Sequence, residues 1–168
     1  MPHTGIVQRG KEVIIMEKKP WVLVNSENVV GFVDGDYTSK MLTGDEMAGM
    51  PVMNINEGIL AAGGTTGGPD LKGSAHDDTE IYYIIDCDPE TYVWLDDDCL
   101  ETKPGDFIVI PPHVYHWIDN RKGKKDYKIF TFWPRQEQNG MFFVREKAWG
   151  TSVRNLDDKY TDKRMGRA

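Results

Sequence analysis

Two stretches of the chain decide its fold: residues 68–87, GPDLKGSAHDDTEIYYIIDC, and residues 105–120, GDFIVIPPHVYHWIDN. Each contains a short run rich in β-branched and aromatic residues, Glu80–Ile85 in the first and Phe107–Ile110 in the second. Proline cannot donate a hydrogen bond to a sheet, so Pro111 and Pro112 end the strand that runs to Ile110. Similar runs lie at 52–62, 91–95, 115–118 and 127–133. Many short strands separated by turn residues predict an all-β sandwich or barrel.

The totals favour one globular domain. The chain has 168 residues, of which 39% are hydrophobic and 28% charged, a size and composition that one core accommodates. The formal net charge of −7 argues against nucleic acid or an anionic membrane as a partner, because phosphate binding needs an excess of Lys and Arg. No secretory signal or membrane-spanning segment is recognised, and Cys87 and Cys99 are interpreted as reduced thiols of a cytoplasmic protein.

Within that one domain we expect three regions. Residues 1–50 should supply strands and loops that pack on the barrel, with a helical turn around 11–17. Residues 51–135 should form the barrel core, in which the sequence GGTTGGP at 63–69 is interpreted as a turn rather than a linker. Residues 136–168 should supply a C-terminal strand and a polar tail.

Three of the four histidines lie between positions 76 and 116. In a regular strand, His76 and Glu80 point to one face because side chains alternate, and His116 lies on a later strand that can come opposite. Two imidazoles and one carboxylate form the facial set that suits Fe(II), and Mn, Zn, Ni or Co also accept it. The alternative is that these histidines are ordinary hydrogen-bonded residues, which isolated histidines usually are.

The same residues follow the two sequence motifs of the cupin superfamily, which the chain resembles over about a third of its length. The positions of the first motif, G-x5-H-x-H-x(3,4)-E-x6-G, are occupied here by Gly68, Ser74, His76, Glu80 and Cys87. Those of the second motif, G-x5-P-x-G-x2-H-x3-N, are occupied by Gly105, Pro111, His113, His116 and Asn120. The resemblance implies a jelly-roll barrel, the double-stranded β-helix, with short peripheral helical turns.

Three positions depart from the motifs. Ser74 stands where the family has its first histidine, so the resemblance implies a metal held by two histidines and one glutamate. Cys87 and His113 stand where the family has glycine, and we expect these turns to adopt a different geometry. His113 is also considered as a replacement ligand, but its place in the Pro-Pro turn predicts that it faces the barrel mouth or solvent.

The expected surroundings of the metal follow from strand parity. Tyr82 shares the inward face with Glu80, which makes it a candidate acid or base, although a buried core tyrosine is the simpler interpretation. Ser74, Asn120 and Arg135 are candidate substrate contacts, Arg135 for a substrate carboxylate.

Three functions remain open. The resemblance implies a metal-dependent enzyme acting on a small organic molecule, and the facial triad favours an Fe(II) dioxygenase-type oxidoreductase. The second is a lyase or isomerase of a carbonyl or carboxylate compound, using Zn, Mn or Ni with Tyr82 as acid or base. The third is a non-catalytic ligand-binding cupin. A homodimer is implied by the resemblance alone.

Overall fold

The computed structural model describes residues 5–9, 12–16, 23–29, 31–44, 51–134 and 153–154. The described residues form twelve strands and one short 3-10 turn at Ser26–Asn28. The strands are β1 Gly5–Arg9, β2 Glu12–Met16, β3 Gly31–Asp34, β4 Tyr37–Thr43, β5 Asn54–Leu60, β6 Glu80–Asp86, β7 Tyr92–Leu95, β8 Asp98–Glu101, β9 Phe107–Ile110, β10 His116–Asp119, β11 Tyr127–Trp133 and β12 Val153–Arg154. In the described part of the chain, no helix is both long and apolar enough to cross a lipid bilayer.

All strand pairs are antiparallel and form three sheets. A seven-stranded sheet has the order β12-β3-β4-β5-β11-β6-β9, and a three-stranded sheet has the order β10-β7-β8. β1 and β2 form a separate hairpin. The non-consecutive neighbours, such as β11 between β5 and β6, are the crossovers of a jelly-roll barrel. The predicted all-β jelly-roll architecture is therefore confirmed.

The core lies between the two larger sheets. In β5, β6 and β11 buried side chains alternate with partly buried ones, as expected for strands with one face inward. The buried cluster takes Leu60, Ile84 and Ile129 from the large sheet and Val93 and Ile118 from the small one. The segment after β5 also crosses to the small sheet, where Thr65 pairs with Asp119 and Ser74 with His116. One end of the barrel is closed in this way around residues 61–79.

Several local predictions were wrong. The helical turn expected at 11–17 is strand β2, which pairs with β1. The acidic turn expected at 96–98 ends early, because β8 begins at Asp98 and runs along the sheet edge with all four residues exposed. The domain division is a separate matter: β3 and β4 belong to the seven-stranded sheet, in which β4 pairs directly with β5. Of the predicted C-terminal strand and tail, only Val153–Arg154 is described, as a strand on β3, and the rest lies outside the described residues.

Candidate metal centre

Three side chains with metal-binding atoms converge between the two sheets. Glu80 is the first residue of β6 and 2% exposed, and His116 is the first residue of β10 and 3% exposed. The Nε2 atoms of His76 and His116 lie 3.3 and 3.2 Å from the same Glu80 oxygen, Oε2. One ligand atom from each residue can be chosen so that all lie within 4.8 Å of one another. That spacing is compatible with a shared ion.

His76 reaches the centre from a loop and not from a strand. The predicted regular strand through 76–80 is wrong, because β6 begins only at Glu80. The His76 ring turns toward Glu80 because its Nδ1 atom is held 2.7 Å from the backbone carbonyl oxygen of Asp78. The sequence therefore predicted the right neighbours with the wrong local geometry.

Backbone carbonyls orient both imidazoles in the same way. Nδ1 of His116 lies 2.9 Å from the carbonyl oxygen of Val114, and Nδ1 of His76 lies 2.7 Å from the carbonyl oxygen of Asp78. A carbonyl oxygen only accepts, so each Nδ1 carries the proton and each Nε2 presents its lone pair toward the centre when the ring is neutral. Second contacts of this kind fix the tautomer and the direction of metal-binding histidines.

The charge of Glu80 also marks the centre as a place for a cation. Burial lowers the pKa of His76, but the hydrogen bond and negative charge of Glu80, helped by the Asp78 carbonyl, outweigh that effect and raise the pKa above its ordinary value. A buried carboxylate is costly without compensating positive charge. The hydrogen bonds and ion pairs found for Glu80 among the described residues go to the two imidazoles. A divalent ion bound by the same atoms would supply the missing charge, so the residues fit the implied metal.

Two loops are tied together to place the histidines. The backbone N–H of His113 donates to the carbonyl of His76 over 2.8 Å, and Ser74 and His116 exchange both backbone hydrogen bonds, at 3.2 and 2.9 Å. Gly73 fits tightly beneath this pair, because a Cβ atom there would collide with the carbonyl oxygen of His116 and lie 2.7 Å from the Cβ of Trp117. The positions of His76 and His116 are therefore coupled through the backbone.

His113 itself is not part of the cluster. Its side chain is 77% exposed and lies 3.5 Å from the still more exposed Asp77, as the prediction that it faces solvent implies. Its φ of 67° lies in the left-handed region that favours glycine. His113 therefore adopts a backbone conformation that glycine would adopt at no steric cost, and its side chain lies in solvent.

A cavity of about 650 Å³ opens over the centre. Its lining combines His76, Glu80 and His116 with residues of the β3–β4 turn (34–37), of the segment 65–78, and of β6, β10 and β11. Ser74 and Tyr82, both predicted near the metal, line it. The Tyr82 ring is 7% exposed and stands edge-on to His116 at 5.8 Å between centroids. The volume is in the range of sites for small molecules.

The other two predicted substrate contacts do not join this cavity. Asn120 is fully buried, is absent from the cavity lining, and donates its Nδ2 protons to the carbonyls of Ala61 and Lys125, each over 3.0 Å. These hydrogen bonds show that Asn120 connects two loops, and its predicted contact with substrate is not supported. Arg135 lies outside the described residues.

Two aromatic residues, Tyr37 and Trp133, also line the cavity. Trp133 packs on His76 with 4.3 Å between ring centroids, and its Nε1 atom donates to the hydroxyl of Thr131 over 3.0 Å. Tyr37 also lines the cavity, and its hydroxyl lies 3.4 Å from Nδ2 of Asn56. Gly35-Asp36 before Tyr37 is a two-residue hairpin signal that could have predicted the β3–β4 turn. No sequence signal would have brought that turn to the centre, because its position depends on how the sheet closes.

The fold and this centre define a class: a jelly-roll barrel protein with two histidines and one glutamate around a small-molecule cavity. Residues 60–133 match the family model described as the Cupin domain. Residues 60–133 therefore form a cupin domain, as the resemblance implied. A search of curated protein sequences found no match.

Solved structures show the same fold at low sequence identity. The polyketide cyclase RemF from Streptomyces resistomycificus is 18% identical, with a TM-score of 0.56 over 90% of this chain and 96% of its own. An RmlC-like cupin from Shewanella frigidimarina is 15% identical, with a TM-score of 0.53 over 73% of this chain and 96% of its own. A predicted oxalate decarboxylase from Thermotoga maritima is 16% identical, with a TM-score of 0.53 over 68% of this chain and 100% of its own. At these identities the likeness shows the fold alone.

Proposed function

We propose that this chain is a metal-dependent enzyme that acts on a small organic molecule, with one divalent ion held by His76, Glu80 and His116. The observation that carries the proposal is the convergence of two Nε2 atoms on one carboxylate oxygen, at 3.3 and 3.2 Å, beneath the cavity. Bound there, the ion would supply a Lewis acid with coordination positions left for other groups. Fe(II) is favoured for this ligand set, with Zn, Mn, Ni and Co as the other candidates.

The reaction class that we favour is a dioxygenase-type oxidation. Three protein ligands on one side leave the cavity side for substrate and oxygen, which is the arrangement that non-haem Fe(II) oxygenases use. The residues of the chain would contribute by holding the substrate and excluding bulk water. Trp133 and Tyr82 form apolar walls beside the imidazoles, and Ser74 offers a hydroxyl at the cavity edge.

A second candidate is a metal-dependent lyase or isomerase of a carbonyl or carboxylate compound. The observation in its favour is that Tyr82, an acid or base by type, lines the cavity beside His116. Tyr82→Phe removes only the hydroxyl, so it would abolish turnover in a lyase and leave metal content unchanged. A cupin that only binds its ligand would show no turnover with any metal.

The test begins with metal content. Protein purified without air should carry about one ion per chain in the wild type, and His116→Ala should lose most of it, because the remaining ligands bind far more weakly. His113→Gly is the matched control, since it removes a histidine three residues away that faces solvent and suits the positive φ. Equal metal in wild type and His116→Ala would refute the site.

Oxygen uptake then separates the reaction classes. The protein is loaded with Fe(II) or with Zn and mixed with small-molecule panels in an oxygen electrode. Oxygen consumption that depends on Fe(II) and on the substrate supports the dioxygenase. Turnover with Zn, without oxygen, supports the lyase or isomerase.

We also propose that the chain is a cytoplasmic homodimer. Phe107 and Val109, 65% and 61% exposed, lie on β9, which ends the seven-stranded sheet and has no further strand beside it among the described residues. An apolar sheet edge of this kind favours pairing with another strand. Val109→Lys should convert a dimer to a monomer in sedimentation equilibrium. The free Cys87 and Cys99 fit a reducing compartment.

A further inference from the structure

The cavity over the centre is strongly acidic. Four of its described lining residues are carboxylates, Asp34, Asp36, Asp78 and Glu80, and none is Lys or Arg. A divalent ion would offset the charge of Glu80, and the carboxylates of Asp34 and Asp36 would add negative charge beside it. Charged groups around a low-dielectric cleft act together on a molecule that enters it.

The β3–β4 turn holds two of these carboxylates at the mouth. The carbonyl of Asp36 accepts a hydrogen bond from the N–H of Ala61 over 2.9 Å. Gly64 packs against the same residue, because a Cβ atom added to Gly64 would lie only 2.7 Å from the Cβ of Asp36. The turn is therefore anchored to the segment that closes the barrel. Within the described residues, no Lys, Arg or His forms an ion pair with Asp34 or Asp36. Their charges are left to act on the cavity.

Aromatic side chains also line this cavity. Tyr37, Tyr82 and Trp133 contribute to its lining. The face of an aromatic ring carries partial negative charge and attracts cations. Carboxylates and aromatic faces together favour an organic cation, and they disfavour a carboxylate or phosphate.

We propose that this cavity selects small molecules that carry a protonated amine and discriminates against carboxylates and phosphates. The inference rests on the proposed function, because it names the substrate class of the same site. It predicts that the carbonyl or carboxylate compounds considered for a lyase are poor ligands when they are anionic. Asp34 and Asp36 are then specificity-determining residues that do not touch the ion.

The test uses two probes of matched shape and opposite charge, phenethylamine and 3-phenylpropionate. Their dissociation constants are measured by calorimetry at low and high salt on the metal-loaded protein, after its metal content has been determined. The variant is Asp34→Asn/Asp36→Asn. The control is Asp97→Asn/Asp98→Asn, which removes the same charge from the exposed tip of the β7–β8 hairpin.

Phenethylamine should bind about tenfold more tightly than 3-phenylpropionate at low salt, from Coulomb attraction over several ångströms at intermediate dielectric. High salt and Asp34→Asn/Asp36→Asn should each reduce that ratio at least threefold, in line with screening and loss of charge, while the control keeps it. The inference is overturned if the carboxylate binds as well as the amine, if neither probe binds, or if variant and control behave alike. If the wild type lacks metal, the proposed function fails, and the ratio measured on the metal-free protein still decides the charge selection.

Discussion

The close fit of Gly73 under His116 makes a sharp prediction about how the backbone positions a candidate ligand. Gly73→Ala adds one methyl group at a residue with φ of 70°. The left-handed conformation alone costs a residue with a Cβ about 1–2 kcal/mol. The new methyl group also collides with the carbonyl oxygen of His116 and lies 2.7 Å from the Cβ of Trp117. Overpacking of this kind costs a further ~1–3 kcal/mol.

Gly63→Ala is the matched control. Its φ of 78° is nearly the same, but nothing lies within 4 Å of the added atom. It should therefore lose only about 1–2 kcal/mol for the backbone conformation. The difference between the two variants isolates the collision at His116.

Two measurements on the same proteins test this reasoning. Urea unfolding of the metal-free proteins should show Gly73→Ala less stable than Gly63→Ala by about 1–3 kcal/mol, with unchanged dependence on denaturant. The metal affinity of Gly73→Ala should fall roughly tenfold, because the shift passes to the carbonyl and ring of His116, whereas Gly63→Ala should keep it. Equal stability and equal metal affinity in the two variants would show that the backbone does not transmit the collision to the centre.

Three further outcomes are expected. Asn120→Ala should cost about 2–3 kcal/mol in urea unfolding, because the carbonyls of Ala61 and Lys125 lose the buried amide that bridges them; a change below 0.5 kcal/mol would be inconsistent with that role. Arg121→Gln should be less stable than the wild type near pH 7 by at most about 1 kcal/mol, since the Arg121–Asp119 ion pair is partly exposed. The hydrogen bond from Arg121 lowers the pKa of Asp119 below its ordinary value of 3.8. The stability difference should therefore persist above pH 3.8 and vanish as the pH falls through the lowered pKa. Binding of Co(II) or Ni(II) should quench tryptophan emission in the wild type and less so in Trp133→Phe, because the Trp133 ring lies 4.3 Å from that of His76; identical quenching would place the bound ion away from this ring.

The parts of the fold that the sequence predicted well are those where one face of a strand is buried. β6 and β11 alternate buried and partly buried residues, and both were predicted within about a residue of their bounds. β8 was missed because Asp98–Glu101 is an exposed edge strand with acidic residues, in which no burial pattern can appear. Residues 12–16 were read as helical because a single hairpin offers too short a pattern to separate the two periods.

The candidate centre shows a similar division. His76, Glu80 and His116 were selected by residue type and spacing, and these survive an error in local geometry because His76 reaches Glu80 from a loop as readily as from a strand. Tyr37 and Trp133 come from β4 and the end of β11, far from the motifs. Their place at the cavity depends on the order of strands in the seven-stranded sheet, which no local pattern contains.

The ligand set also has a mechanical consequence. Glu80 belongs to the large sheet and His116 to the small one, so a cation bound by both fastens the two halves of the barrel to each other. Occupancy then raises the melting temperature with ion concentration, by mass action on the native state. Catalysis and stability would then depend on the same bound ion, and a shortage of that ion would reduce both.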